Sequence, residues 1–183
     1  MDMDRERVTK LGAAKRQMNE AIRLFFERRD CVSPHTLASA AAQVLCDLGR
    51  AKGVASPMRG GGLIREDRRK EWSQALKKAE NFFKHGDRDP DAVLEFKASQ
   101  TEFTLFDATY MYASLTGRQT YEGLVFQSWF ILKHPGAILD SEFRAEMRER
   151  ADRLSVRADD WSLFLDLLKS RRYLPKDMLY AFD

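Results

Sequence analysis

Apolar residues recur at intervals of three and four along almost the whole chain, and no segment sustains a period of two. This pattern predicts helices throughout and no sheet. Leu11, Ala14, Met18, Ala21, Ile22 and Phe25 form one stripe over residues 8–29. After a break at residues 29–32, a second stripe runs through Leu37, Ala41, Val44, Leu45 and Leu48 and stops near Gly49 to Gly53. Ser33 and Pro34 read as its N-cap and first helical position, where proline's missing N–H costs nothing. Alanines at 38, 40, 41 and 42 make this helix narrow enough for a close neighbour. The first two helices are therefore expected to form an αα-hairpin.

A third helix is expected over 67–85, with Trp72, Ala75, Leu76, Ala79, Phe82 and Phe83 inward. Asp89-Pro90 opens a short helical piece, and a fourth long helix over 100–116 ends at Gly117. Residues 119–133 are apolar almost all round, which predicts a central, buried helix. Asp140 or Ser141 caps a thinner amphipathic helix. A last helix places Trp161, Phe164, Leu165 and Leu168 on one face, and the apolar tail 173–182 is expected to pack back on the body. The sum is an all-α, single-domain bundle of about seven helices spanning residues 1–183. Residues 53–66 are the exception: Pro57 and Gly60 to Gly62 predict a mobile, glycine-rich loop.

A chain of 183 residues can bury about 70% of its unfolded surface, so no staple is required. Two cysteines, Cys31 and Cys46, are too few for a disulfide framework and fit a reducing compartment. The opening MDMDRERVTK has no signal-peptide core, and no apolar run reaches bilayer length. A soluble, cytoplasmic protein without a membrane partner is expected. Net charge is +3 with 32% charged residues, too balanced to call for nucleic acid. Cations do crowd Arg50 to Lys70, while residues 87–107 lean acidic, as solvated helix faces commonly do. The glycines at 60–62 make neither a Walker loop nor a dinucleotide fingerprint. GxSxG, HExxH and EF-hand patterns are missing as well, so no cofactor is expected.

Two polar turns concentrate the remaining chemistry. In Asn81 to Pro90, one imidazole and two carboxylates (His85, Asp87, Asp89) are of the right kinds for a divalent cation or acid–base work. The same residues also read as architecture. Lys84 and His85 suit a helix's last turn, Gly86 a left-handed C′ position, and Asp89-Pro90 a new helix start. In the second turn, Arg28 or Arg29 is followed after five or six residues by His35. That spacing resembles the arginine–histidine element of HEPN ribonucleases, small all-α dimers. The resemblance implies metal-independent action on RNA by Arg28 or Arg29 with His35. His134, before Pro135-Gly136, reads as a helix C-cap. The aromatics fall at core spacing, with Tyr110, Tyr112, Tyr121 and Trp129 available to line an interhelical pocket.

The stretches IRLFFERRDCVSPHTLASAAAQVLCDLG and AENFFKHGDRDPDAVLEF together resemble a family of small bacterial all-α proteins without an assigned activity. The resemblance implies a bacterial, cytoplasmic helical protein and supplies no catalytic residue. It draws Ser33, His35, Asn81, Lys84, His85, Asp87 and Asp89 together as one candidate binding site, provided the two turns meet. The favoured expectation is a non-enzymatic, ligand- or partner-binding helical protein that is compatible with a homodimer. The alternatives are the HEPN-like ribonuclease and a metal site at His85, Asp87 and Asp89.

Overall fold

The computed structural model describes residues 5–59, 64–87, 89–136 and 142–171. Every regular element among them is helical: α1 (Lys10–Glu27), α2 (Val32–Arg50), α3 (Arg69–Phe82), α4 (Ser99–Thr116), α5 (Tyr121–Lys133), α6 (Glu142–Leu154) and α7 (Trp161–Ser170). A 3-10 turn, Glu66–Arg68, leads into α3. The all-α bundle expected from the spacing is the fold.

Several helix ends differ from their local reading. Asp30, not Ser33, caps α2: its Oδ1 accepts from the Val32 and Ser33 N–H groups at 2.8 and 2.7 Å. Those donors hold the Asp30 carboxyl below its ordinary range. Pro34 therefore falls inside the first turn rather than at its first residue. Thr9 and Thr120 each accept from the N–H three residues on, fixing the starts of α1 and α5. Gly117 ends α4 in the expected left-handed conformation, φ 67°. Gly86 is not among the positive-φ glycines, because α3 has already stopped at Phe82. The helical piece expected after Asp89-Pro90 is one turn followed by chain without regular structure. The expected caps Asp140 and Ser141, and the tail 173–182, lie outside the described residues.

The core is built around α5. Leu124, Val125, Phe126, Trp129, Phe130 and Ile131 are all buried, as an all-round apolar helix requires. Phe25 and Phe26 of α1 meet Trp129 edge-on, and Phe26 stacks on Phe164 of α7 at 5.6 Å. Trp129 donates Nε1–H to the Ala158 carbonyl, which ties down the chain entering α7. Against this aromatic mass, α1 and α2 meet through small residues: Ala14, Ala21, Ala38, Ala41 and Ala42 have no exposed surface. The αα-hairpin forms as expected, and α4 packs on the other side of α2.

One buried charge serves this framework. Glu122 of α5 accepts from Arg23 of α1 at 2.5 Å and from Arg171, the C-cap of α7, at 3.2 Å. The otherwise apolar buried surface of α5 thus includes a paired polar group. Gln127 adds another, reaching Thr109 of α4.

Candidate functional site

The two turns singled out in the sequence do adjoin, but through His35 packing on Phe83 and not by a meeting of the two histidines. His35 has no exposed surface. Its Nδ1 lies 3.2 Å from Thr101 Oγ1 and its Nε2 lies 3.3 Å from Ser39 Oγ, so each ring nitrogen has a hydroxyl partner. Phe96 and Phe83 close over the ring at centroid distances of 4.7 and 5.8 Å. Burial pushes the imidazole down to about 4, outweighing the attraction of Glu80, and Arg59 and Lys84 push the same way. At neutral pH His35 is an uncharged, fully bonded core residue.

The other members of the set face solvent. Ser33, Asn81, Lys84, His85, Asp87 and Asp89 are exposed. Lys84 pairs with Glu80 at 2.8 Å, and the Asn81 carbonyl accepts from the Lys84 and His85 N–H groups, finishing α3. Among the described residues no three His, Cys, Asp or Glu side chains are grouped to hold a metal ion, the trio His85, Asp87 and Asp89 included. The arginines of the ribonuclease reading are engaged elsewhere. Arg28 takes a left-handed φ of 55° and lays its guanidinium 4.6 Å over Trp161, while Arg29 lies 3.4 Å from Glu27. Neither touches His35. His134 caps α5 as expected, and its Nε2 lies 2.6 Å from Glu102 Oε2 of α4.

The structure assembles two polar sites that local sequence reading missed. The first surrounds Asp107, a carboxylate on the buried face of α4 with 1% exposure. Ser56 donates to its Oδ1 at 2.6 Å, the Met58 N–H donates to the same oxygen at 3.2 Å, and the Cys46 thiol points at Oδ2 from 3.7 Å. Arg59 lies within 4 Å of both Asp107 and Glu80 of α3, and donates to Gln43 of α2 at 2.8 Å. Residues 56–59, within the expected glycine-rich loop, are thus a strap fastened to three helices, with Ser56, Pro57 and Met58 buried. Gly60 to Leu63 lie outside the described residues. Burial pushes the Asp107 carboxyl above its ordinary range against the pull of its donors, and burial beside Asp107 pushes the Cys46 thiol up to about 11. A protonated, enclosed thiol is no nucleophile. The cluster's donors and acceptors are spent on one another, so its role is to fasten the strap.

The second site is a cleft of about 340 Å³ between the starts of α3 and α4. Arg68, Glu71, Trp72 and Ala75 form one wall; Lys97, Ser99, Gln100 and Phe103 form the other. Trp72 and Phe103 meet edge to face at 5.7 Å across it. Two of its residues carry buried polar atoms without a hydrogen-bond partner, Trp72 Nε1 and Gln100 Oε1. The sequence placed Trp72 among core residues; the structure leaves it partly buried at this opening. The tyrosines and Trp129 offered for an interhelical pocket do not line the cleft.

The basic run of residues 50–70 is largely neutralised. Arg50 pairs with Asp47, Arg65 with Asp67, Arg68 with Glu71, and Arg59 is drawn inward. No helix of the described residues is long and apolar enough to cross a membrane. The described residues form an all-α domain, and the α3–α4 cleft among them is at the lower end of ligand size. No family model, curated protein or solved structure matches the chain.

Proposed function

We propose that this is a non-enzymatic, ligand-binding helical protein of the cytoplasm, and that the α3–α4 cleft is its binding site. The observation that carries the reading is a cleft of about 340 Å³ whose two walls include Trp72 and Gln100, residues that each hold a buried polar atom without a hydrogen-bond partner. Each such atom costs a folded protein about 1–3 kcal/mol, and a ligand that bonds to it returns that energy. The volume lies at the lower end of the range for small-molecule sites, and the mixture of flat apolar walls with a few polar groups is the usual composition. Both atoms are closed to water, so a ligand reaches them by turning the Gln100 amide or the Trp72 ring. Because the cleft forms within one chain, the reading holds for a monomer and a homodimer alike.

The test uses uncharged aromatic fragments (phenol, indole and benzamide) titrated onto the full chain while backbone and indole N–H resonances are followed. Shifts should concentrate on residues 68–75 and 97–103, including the Trp72 indole, and should vanish in Ala75→Trp, which fills the floor. Fragments that leave these residues unmoved at millimolar concentration, or shifts that survive the filling, refute the site.

A further inference from the structure

We infer that the outer face of α3 binds the phosphate backbone of double-stranded DNA without regard to sequence. This face is turned away from the cleft, and what it binds is independent of the cleft reading.

The charge of the chain is unevenly spread. Residues 64–86, which hold α3 and its two ends, carry seven lysines and arginines against four aspartates and glutamates. That surplus equals the net charge of the whole protein, +3, so the remainder of the chain is balanced. Three of the four acids are already bonded: Asp67 to Arg65, Glu71 to Arg68 and Glu80 to Lys84. Glu66 is left against Arg69, Lys70, Lys77 and Lys78, none of which forms an ion pair among the described residues. Exposed α6 shows the contrast, since its Arg150 and Arg153 are matched one turn earlier by Glu146 and Glu149. A merely solvated helix face in this chain is laced with such pairs. The outer face of α3 is not.

Helix geometry puts the free cations in a row. At 100° per residue, Lys70, Gln74, Lys77 and Asn81 stack along one side of α3 with Ser73 and Lys78 beside them, and all six are exposed. Leu76 and Ala79 are buried on the other side. Phe83 against His35 and Glu80 at 3.9 Å from Arg59 anchor the last turn. The row therefore rides on a fixed rod of 14 residues, about 21 Å long. It contains hydrogen-bond donors and positive charge, with no acid and no apolar side chain.

That composition selects the partner. An anionic membrane takes up a helix that has an apolar face to bury. Protein interfaces have an apolar centre and are poor in lysine. Single strands stack their bases on aromatic rings. The row offers none of these, whereas lysines act as point charges that suit the closely spaced phosphates of a duplex. Lys70 and Lys77 lie about 10 Å apart along the axis, near the width of about 12 Å of the B-form major groove. Their ammonium groups thus reach phosphates on its two edges, with the Gln74 amide between them. The deep, narrow major groove of duplex RNA does not admit the helix.

The test is the fluorescence anisotropy of a labelled DNA duplex of about two helical turns, titrated with the full chain. Three phosphate contacts predict an affinity that falls about 40-fold between 50 and 200 mM salt and is the same for unrelated sequences. Lys70→Gln, Lys77→Gln and Lys78→Gln together should abolish most of this binding, and each should take about one unit off the salt slope. Arg7→Gln, Lys10→Gln and Lys15→Gln, at exposed positions near the start of the chain, remove the same charge and should leave the slope unchanged. Melting curves of both triple variants should match the parent; if the α3 variant melts lower, Lys77→Gln alone still has to lower the slope by about one. Equal losses in the two triple variants overturn the α3 assignment. Binding to duplex RNA, single strands or phosphatidylserine vesicles that matches or exceeds binding to the DNA duplex overturns the choice of partner. A duplex left unbound at 50 mM salt overturns the whole inference.

Discussion

Lowering the pH should destabilise this protein through His35 before its surface carboxylates are neutralised. The imidazole has no exposed surface, hydroxyl partners on both nitrogens and two phenyl rings against its faces. Protonation would place a charge where no carboxylate bonds to it. Its value falls from 6.5 in the unfolded chain to about 4 in the folded one. The folded value is depressed, so the stabilising contribution is complete above about 6.5 and is lost as pH drops toward 4. At about 1.4 kcal/mol per pH unit, the loss amounts to roughly 3 kcal/mol, a large part of the 5–15 kcal/mol typical of a domain. Urea midpoints measured from pH 7 to pH 4 on the full chain read this directly. His35→Gln keeps a donor and an acceptor but does not titrate, so the wild-type curve should fall more steeply than the variant's across this window. Asp107, whose folded value is raised, contributes in the opposite sense and is common to both proteins. Parallel curves for the two proteins would show that His35 is not enclosed in the way described.

Asp107→Ala should remove the acceptor of Ser56 and of the Met58 N–H, costing about 2–5 kcal/mol and lowering the melting temperature by about 5–15 °C. Asp107→Asn keeps Oδ1 and should cost about half or less; equal losses on thermal unfolding would refute the fastening role. Gly49→Ala should destabilise by about 1–3 kcal/mol in urea titration despite alanine's better helix propensity. The added Cβ would sit 2.8 Å from the Val54 carbonyl oxygen and against Met111 Cε; a stabilised variant would show that the approach is looser than described.

The helices were legible because their signal is local. Spacing of apolar residues found α1, α2, α4 and α5 within a few residues, and the almost wholly apolar run of 119–133 announced the central helix. What failed to show was anything settled by a distant partner. Residues 56–59 read as loop because Pro57 and three following glycines say so locally, yet Asp107, 51 positions away from Ser56, makes that stretch interior. Phe96 fits a helical stripe with Val93, but it packs over His35 in a stretch without regular structure, and Val93 is 92% exposed. The polar turns drew notice because imidazoles are rare in this chain, and rarity proved a poor guide to position. A better signal was present: Asp107 lies between Phe106 and Ala108, and Glu122 opens an otherwise apolar run. A carboxylate inside a greasy helix has to be paired, and both are. The cleft had no comparable signal, since Trp72 and Gln100 are ordinary helix residues whose unpartnered atoms emerge only from packing.

The three tryptophans fall into two optically separate groups. Trp129 and Trp161 are 5.3 Å apart within the aromatic core, close enough for their excited states to couple. That pair should give a strong near-ultraviolet dichroic signal that disappears when the core loosens. Among the described residues Trp72 has only Phe103 as a ring neighbour, and it borders the cleft, so its emission responds to what enters there. Replacing Trp129 and Trp161 with phenylalanine would leave a single fluorophore at the site, and replacing Trp72 would leave a reporter of the core alone. The chain carries intrinsic dyes for occupancy and for integrity, and the two can be read without labels.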